Sequence, residues 1–318
     1  MLRPFKKVLS RNLRAGVMQD GSRIELAVVR RIGNGRMTLA AGNVERDDDD
    51  DWAEHALSNV VGSDFRKARV STVLGAEAYS LQLVEAPNVP DDELHEAVRW
   101  RIQHLIEYPI GEAVIETLMM PAHANPGNKP MIYAVVAHRD EILRQIERMK
   151  KARLQMDVID IPELCMRNVA TVLPQDAEGV AFMHFTNHCG YLTITRQGVL
   201  YMIRRIETHR RALVEANDDD FVLQEQAAGV ALEVQRSLDY YESNYDRRPI
   251  TELVLGPGDH LDALASSLGE NLGINVSRLN LGELFDTEDE ITANVQSDCL
   301  LAVGAALRSD DAVRRAAA

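Results

Sequence analysis

The residues best suited to bind a metal ion lie close together in the second half of the sequence. His184, His188 and Cys189 fall within six positions, and imidazole and thiolate groups are ligands that zinc prefers. Their spacing matches no strong zinc-binding pattern, and the chain contains no Cys-x-x-Cys pair. A strand histidine whose hydrogen bonds are satisfied inside the fold is therefore the simpler interpretation of His184.

Two acidic segments in the first 51 residues could bind cations. Asp20-Gly21-Ser22 combines a carboxylate, which can hold hydrated Mg²⁺, with a glycine that lets the backbone approach a phosphate. Asp-Gly is also a favoured dipeptide of tight type I′ turns, so the residues alone leave both interpretations open. The run from Asp47 to Asp51 is more simply a solvated loop before a helix predicted at residues 52–61.

Composition excludes several classes of protein. The chain has 318 residues, enough for about two domains, with 46% hydrophobic and 26% charged residues. These values exclude collagen-like, disordered and disulfide-scaffold classes. Only 5% of residues are aromatic and the net charge is −14, so nucleic acid is not an expected partner.

The N-terminal segment differs in charge from the rest of the chain. Residues 1–36 contain nine basic and two acidic residues, a net charge of +7. Such a segment can contact anionic lipid headgroups, although an ordinary solvated N-terminus has the same composition. No apolar run reaches the ~18 residues of a membrane span, no secretory signal is present, and the three cysteines are far apart. We therefore expect a cytoplasmic protein with peripheral contact to the membrane.

Hydrophobic periodicity and turn residues predict an alternation of strands and helices. We predict three short strands in residues 14–42, with turns at 20–21 and 33–35, and a pair of adjacent strands at 70–74 and 79–84. Further strands are predicted at 113–119, 131–137, 156–161, 180–185, 191–195, 199–204, 253–255 and 274–279. Helices are predicted from Asp91 to the stop at Pro109, at 140–152 and 223–245, after Gly258, and at 299–307.

The order of these elements repeats. Each half opens with antiparallel strands joined by tight turns and continues with helix and strand. Two such halves predict a duplicated α/β fold with a cleft between the halves, which is a common place for a ligand.

Two stretches of sequence resemble the type IV pilus assembly PilM family, and more closely its MSHA-pilus branch, MshI. The first is the segment VPDDELHEAVRW at 89–100, continuing to IEYPI at 106–110. The second is EVQRSLDYYES at 233–243. The resemblance covers about residues 14–307 and implies an actin-like, ribonuclease-H-like duplicated fold. By analogy, the first lobe would be 1–175 with a small inserted subdomain at about 76–153, and the second lobe 176–318.

The resemblance also implies a nucleotide site, with ATP as the candidate cofactor. In aligned positions, Met18 and His184 stand where the family has the aspartates of its two phosphate-binding hairpins. The residues that remain as candidates are Asp20, Gly21, Ser22, Glu233, Gly256 and Gly258. Because an imidazole is a poor partner for hydrated Mg²⁺, which prefers oxygen, and Met18 stands at the other aspartate position, we expect a degenerate site with no metal ligands and no catalytic residue.

The partner that the family implies is the N-terminal cytoplasmic tail of a single-pass inner-membrane pilus assembly protein, and the pilus assembly ATPase is a second one. We expect the tail to bind beside the inserted subdomain, with Trp100 and Tyr108 at the rim of its groove. Three alternatives remain: a nucleotide-gated ATPase of the same fold, the actin-like part of a type II secretion complex, and a small-molecule kinase, for which no catalytic base stands out.

Overall fold

The structure, a computed structural model, describes residues 13–32, 36–45, 68–123, 129–152, 154–216, 220–246, 248–259, 261–287 and 290–308. The strands are β1 (Leu13–Asp20), β2 (Arg23–Arg31), β3 (Met37–Glu45), β4 (Arg69–Val73), β5 (Tyr79–Glu85), β6 (Ala113–Met119), β7 (Met131–His138), β8 (Met156–Asp160), β9 (Val180–Phe185), β10 (Gly190–Arg196), β11 (Val199–Ile206), β12 (Glu252–Leu255), β13 (Asn275–Arg278) and β14 (Asp286–Thr287). The helices are α1 (Asp91–Ile102), α2 (Arg139–Lys151), α3 (Pro162–Ala170), α4 (Arg210–Ala216), α5 (Asp220–Asn244), α6 (Asp262–Leu272), α7 (Leu281–Leu284) and α8 (Ala293–Leu307). The predicted turn at 33–35, the acidic run 47–51, the helix at 52–61 and the first twelve residues lie outside the described residues.

The first and second sheets share one strand order, which confirms the predicted duplication. The first sheet runs β14-β3-β2-β1-β4-β8, and the second runs β11-β10-β9-β12-β13. In each, an antiparallel triple strand is followed by two parallel strands. In the second sheet, Gln197 and Gly198 have φ of 52° and 78°, the two positive values of a type I′ turn that joins β10 to β11.

The third sheet has the order β5-β7-β6 and is antiparallel. The prediction that β4 and β5 pair with each other is wrong. Both edges of β4 are occupied, by β1 and by β8, so no edge of β4 is left for β5, which pairs with β7 instead. Helix α1 packs on this sheet through Val98 and Ile102.

Helix α1 is shorter than predicted. It ends at Ile102, whose carbonyl accepts a hydrogen bond from the Leu105 amide at 2.8 Å, so the chain tightens into a turn instead of continuing as an α-helix to Pro109. The segment then folds back, because Arg99 donates to the Ile110 carbonyl at 2.8 Å. Ile106 still packs on the core of the third sheet, which explains why its periodicity is helical in the sequence.

Helices α3 and α8 pack between the first and second sheets and join their cores. Two glycines permit this close packing. A Cβ at Gly16 of β1 would lie 1.8 Å from the Ala302 carbonyl oxygen of α8, and one at Gly304 of α8 would lie 2.2 Å from the Cys165 carbonyl oxygen of α3. Sequence analysis did not predict α3, although Pro162 at its first turn is a recognised start signal.

The last part of the chain returns to the first sheet. Strand β14 pairs in parallel with β3, and α8 packs on β1, β2 and β3. None of the described helices combines the length with the apolar composition that a membrane-spanning helix needs.

Candidate functional site

The two equivalent hairpins, β1–β2 and β9–β10, meet where the first and second sheets come together. The Asp20 carboxylate accepts a hydrogen bond from the Asn187 amide at 3.0 Å and lies 2.5 Å from the His188 Nε2 atom. We call the contact of Asp20 with Asn187 and His188 the hairpin junction. Candidate residues from both halves of the sequence are thus in direct contact.

The first hairpin closes with a tight turn whose backbone differs from the type I′ turn considered in the sequence analysis. Gly21 has φ of +59°, while Gln197 is the only non-glycine residue with positive φ among the described residues. A positive φ at the first central residue alone is typical of a type II′ turn. Gly21 and Ser22 therefore have a structural role in this hairpin whatever they bind.

In the second hairpin, the backbone amides of the turn between β9 and β10 form hydrogen bonds within the turn itself. The Thr186 hydroxyl accepts hydrogen bonds from the amides of His188 and Cys189 at 3.2 and 3.3 Å, and the Thr186 amide donates to the Cys189 carbonyl at 2.9 Å. A phosphate-binding loop needs amides that point at the ligand. In this loop those donors already have an intramolecular acceptor.

Arg210 and Asp298 extend the hairpin junction into a network of ion pairs. Arg210 donates to Asp298 at 2.6 Å, to the Ser297 hydroxyl at 3.0 Å and to the Asn187 side chain at 2.8 Å. The other Asp298 oxygen accepts from Arg23 at 2.8 Å and from Asn43 at 2.7 Å. Asp298 therefore links α8 to the first sheet and to the start of α4.

The two positions where the family has aspartates are buried and carry no charge. Met18 lies opposite Glu25 in the β1–β2 register. Burial, and to a lesser degree the charge of Arg210, lowers the pKa of His184 to about 3, so its imidazole is neutral. The ring packs against Gly256, where a Cβ would lie 2.6 Å from the Nδ1 atom. The interpretation of His184 as a satisfied strand histidine agrees with this geometry.

The remaining space at the hairpin junction does not fit a nucleotide with Mg²⁺. The cavity between the hairpins has a volume of about 30 Å³, room for water molecules but not for a triphosphate. Burial and the neighbouring carboxylates of Asp20 and Asp298 raise the pKa of Glu25 well above its usual value, so this acid favours its protonated form in the folded chain. Within the described residues, no group of three or more His, Cys, Asp or Glu side chains is arranged to hold a metal ion.

Of the six predicted nucleotide-binding residues, only Asp20 lines this cavity. Gly256 packs on His184, and the Gly258 carbonyl accepts a hydrogen bond from Arg278. Glu233, on α5, is paired with Arg204 at 2.6 Å and with Arg236 at 2.8 Å. Hydrogen bonds from these arginines lower its pKa and occupy both of its oxygens.

A larger opening lies between the first and third sheets. It has a volume of about 650 Å³ and is lined by residues 116–119 of β6, by residues 157–161 at the end of β8, and by Ile142, Leu164, Arg167 and Arg308. We call it the strand-edge groove, because β6 and β8 are each the last strand of their sheet. Consecutive residues of both strands line it, whereas a strand that presents one face would contribute every second residue.

Among the described residues, strand alternation directs backbone groups of β6 and β8 away from their neighbouring strands, at the two edges that line the strand-edge groove. The Asp160 carbonyl accepts from the Leu74 amide on the β4 side, so the alternation of a strand turns the backbone of Ile159 the other way. On β6, the Met120 amide donates to Met131 of the neighbouring chain segment, and the Ile115 carbonyl on the opposite side is bonded by His95 at 2.9 Å. By the same alternation, the backbone groups of Thr117 point outward.

A buried cluster holds the third sheet in position beside this groove. The Glu163 carboxylate of α3 is fully buried and accepts hydrogen bonds from the Tyr79 hydroxyl of β5 and, at 2.7 Å, from Arg205 of β11. The Arg205 guanidinium also lies 4.7 Å from the centre of the Tyr79 ring. One residue thus ties together α3, the second sheet and the third sheet, and α3 and the third sheet contribute residues to the groove lining.

The two residues predicted to contact a partner do not line the strand-edge groove. Trp100 is 69% exposed on α1. Tyr108 packs on the core of the third sheet, with its ring 4.9 Å from His138 in an edge-on contact. Sequence analysis missed the groove residues themselves, because nothing in a single sequence shows which strands end a sheet.

Comparison with known proteins identifies solved structures with a similar fold. No family model matches the chain, and a search of curated proteins found no match. Among solved structures, a chain of the PilM–PilN type IV pilus biogenesis complex is similar, with 19% identity over 92% of this chain and 97% of that chain and a TM-score of 0.69. A protein of unknown function with an actin-like ATPase fold from Bacteroides thetaiotaomicron has 10% identity, coverages of 92% and 96%, and a TM-score of 0.50. The predicted actin-like fold is confirmed.

Proposed function

We propose that this chain is an actin-like scaffold protein of type IV pilus biogenesis, in the MSHA-type branch. Its partner is the N-terminal cytoplasmic tail of a single-pass inner-membrane pilus assembly protein. The likeness in fold to a chain of a PilM–PilN complex supports a pilus protein as the partner, and the segments at 89–110 and 233–243 support the branch. The pilus assembly ATPase is a second partner on the same grounds.

The strand-edge groove carries this proposal. A tail without its own fold has unpaired amides and carbonyls, and an edge strand presents the matching donors and acceptors. Ile159 of β8 and Thr117 of β6 offer such groups, and apolar side chains such as Leu164 line the same groove. An extended segment that enters the groove can therefore pair its backbone while burying its apolar side chains.

The nucleotide site is degenerate in this proposal, and the chain acts as a scaffold and not as an ATPase. Support comes from the neutral His184, the closed hairpin junction and the cavity of about 30 Å³. Titration calorimetry with ATP, with and without Mg²⁺, is expected to detect no binding at millimolar nucleotide. A turnover that needs Mg²⁺ and is lost on His184→Ala would favour the alternative, a nucleotide-gated ATPase.

We further propose that the protein works at the inner face of the bacterial inner membrane. The partner's tail would hold it there, and the basic first 36 residues would add a contact with anionic lipid that weakens as salt is raised. Trp100 is proposed as a contact with the partner outside the groove, since it is a large exposed aromatic residue of the inserted subdomain. Tyr108 would support the segment that presents it.

Photo-crosslinking in cells tests the proposal directly. A photoreactive amino acid replaces Thr117, which lines the groove, or, as a control, Leu232, which is 52% exposed on α5 outside it. We expect Thr117 alone to crosslink to a membrane protein, at residues that precede its membrane span. The identity of that protein separates a pilus partner from a type II secretion partner.

Crosslinks from Leu232 to the same tail, with none from Thr117, would reject the groove as the binding site. A soluble protein as the main crosslinked product at Thr117 would reject the membrane partner.

A further inference from the structure

The ends of several strands of the first sheet lie together beside the last turn of α2. Leu13 at the start of β1 lies opposite Arg30 at the end of β2, and the starts of β4 and β8 follow in the sheet. Met149 and Ala152, in the last turn of α2 and just after it, belong to the same core cluster as Leu13. We call this side of the molecule the basal end.

Exposed basic side chains from two elements lie at the basal end. We call them, with one exposed apolar neighbour, the basal patch, which consists of Arg31, Ile32, Arg148, Lys150 and Lys151. The first two belong to β2 and the turn after it, and the other three belong to the last turn of α2. Among the described residues, none of the four basic members forms an ion pair.

The acidic residues on the elements of the basal end do not cancel this charge. Asp157 of β8 and Asp286 of β14 are each already paired with an arginine. Glu147 of α2 and Glu283 of α7 are exposed, so four basic residues stand against two acids. Positive charge is therefore in excess at this end, although the net charge of the whole chain is −14.

The residues that precede β1 add charge of the same sign. Residues 1–12 contain Arg3, Lys6, Lys7 and Arg11 and no acidic residue. They join the sheet at Leu13, which is at the basal end. Basic residues that are far apart in the sequence are thus collected on one side of the molecule, and such a surface attracts a bilayer of anionic lipids.

We propose that the basal patch is the surface by which the folded first sheet lies on an anionic lipid bilayer. The lysine and arginine side chains contact the lipid phosphates, and Ile32, which is 42% exposed, enters the interface beside them. This inference rests on the proposed function, because that function places the chain at a membrane. It adds which end of the molecule faces the lipid.

This orientation fits the position of the strand-edge groove. Strand β8 starts at the basal end, and residues 157–161 of this strand and its end line the groove. A tail that leaves the same bilayer therefore reaches the groove by following β8 away from the membrane. The lipid contact and the captured tail would hold the chain from adjoining surfaces.

Vesicle flotation of the full chain tests the proposal. Vesicles with about one third phosphatidylglycerol in phosphatidylethanolamine are compared with neutral phosphatidylcholine vesicles. We expect binding to the anionic vesicles at about 50 mM salt, at least about tenfold weaker binding at about 500 mM salt, and no binding to the neutral vesicles.

The decisive variant removes three charges from α2. It combines Arg148→Gln, Lys150→Gln and Lys151→Gln, and we expect its binding to anionic vesicles to be at least about tenfold weaker than that of the native chain. The matched control removes as many exposed cations from the half of the chain that forms the second sheet. It combines Arg211→Gln, Arg236→Gln and Arg248→Gln. This control changes the net charge equally and should bind within about twofold of the native chain.

A variant on another element keeps the test valid if the helix variant does not fold. Basic residues in the last turn of a helix also interact favourably with the helix dipole, so thermal unfolding is measured for every variant. Arg31→Gln combined with Ile32→Ser changes the patch only on β2 and its turn. We expect this variant to bind about threefold more weakly than the native chain.

The remaining outcomes would overturn the proposal. A folded helix variant that binds like the native chain would reject the basal patch and assign the binding to residues 1–12. Equal binding to neutral and anionic vesicles, or tighter binding to a short DNA duplex, would reject an anionic bilayer as the ligand.

The failure of this proposal can be distinguished from the failure of the proposed function. If the native chain binds no vesicles, the basal patch is rejected, while the Thr117 crosslinks still decide whether a membrane protein is the partner. If the vesicle results are as expected and Thr117 crosslinks to no membrane protein, the basal patch stands and the proposed partner is rejected.

Discussion

The hairpin junction and the strand-edge groove are both interfaces between parts of this fold, but they differ in how their polar groups are satisfied. At the hairpin junction, side chains from opposite sheets bond to one another, and about 30 Å³ remains. In the groove, backbone groups of two strand edges point into about 650 Å³ of open space. Open space is thus found at the edges of the first and third sheets and not between the two hairpins.

The physical reason is the use of backbone donors. A nucleotide cleft depends on hairpin amides that are free to meet phosphates. In this chain Thr186 binds two of those amides, and Asp20 binds the side chains of the opposite hairpin. No comparable side chain covers the outward backbone of Ile159 or Thr117 in the described residues, and only the Ile115 carbonyl is covered, by His95. An extended peptide is the ligand that such edges fit.

The largest expected effect is a loss of stability caused by a substitution at the hairpin junction. Asp298→Asn removes a charge that accepts from Arg23, Asn43 and Arg210, and so takes one carboxylate away from two partly buried arginines. We expect the free energy of unfolding to fall by about 3 kcal/mol, measured by urea denaturation, while peptide binding in the groove stays within twofold.

The matched control is Asp286→Asn. Asp286 also pairs with an arginine, Arg36, at 2.6 Å, but its side chain is 43% exposed, so the loss should stay below about 1 kcal/mol. Equal losses in the two variants would mean that the hairpin junction is no more important for stability than a surface ion pair.

The next largest expected effect is on peptide binding in the strand-edge groove. Ile159→Pro removes an amide that points into the groove and does not belong to the β4 ladder, so the edge strand should still form. The comparison variant Ile159→Ala loses the same side chain but keeps the amide. We expect the proline variant to bind a groove peptide at least tenfold more weakly than the alanine variant, about 1.4 kcal/mol, with equal thermal stability. Identical affinities would argue against backbone pairing at β8.

The pH dependence of stability offers a third test, centred on Glu25. Because its pKa is raised in the folded chain, the folded state holds a proton that the unfolded chain releases, and stability is lost as pH rises above about 4.5. Glu25→Gln removes this dependence and should stabilise the protein at pH 8 by on the order of 1 kcal/mol.

His184 acts in the opposite direction and serves as an internal reference. Its pKa of about 3 in the folded state means that stability falls as pH drops below 6.5, where the unfolded chain takes up a proton. The native chain and the Glu25→Gln variant share this contribution of His184. The difference between their free energies of unfolding, measured from pH 5 to pH 8, therefore reports on Glu25 alone. A constant difference over that range would show that Glu25 has no raised pKa.

Local signals in the sequence predicted much of the fold. The turn residues at 20–22 and 196–198 and the alternation around them located both hairpin triplets within a few residues. The partner of β5 could not be predicted, because strand pairing depends on which edges are already occupied. The end of α1 at Ile102 was missed because Ile106 keeps helical spacing outside the helix. The lobe bounds at 175/176 and the insertion at 76–153 stay predictions.

The candidate site was less predictable, for a physical reason. Alignment with the family pattern identified Met18 and His184 as residues that replace expected aspartates. Such an alignment needs only the order of residues in the sequence. The groups that close the cleft are brought together by folding: Arg23 and Asp298 are 275 positions apart. The groove likewise cannot be predicted without the folded arrangement of the strands, because β6 and β8 are edge strands only in relation to the strands beside them.

The smallest expected effect lies outside both regions, at Trp100. Its side chain is 69% exposed, so Trp100→Ala should change the free energy of unfolding by less than about 0.5 kcal/mol. If the partner extends beyond the strand-edge groove onto α1, the same substitution should weaken binding of the whole tail by about 1 kcal/mol, as for a modest aromatic anchor. Leu83→Ala, at another exposed apolar residue of the third sheet, should leave binding unchanged. A tail that binds both variants like the native chain would confine the interaction to the groove, and a Trp100→Ala protein that unfolds would show that the residue belongs to the core and not to the surface.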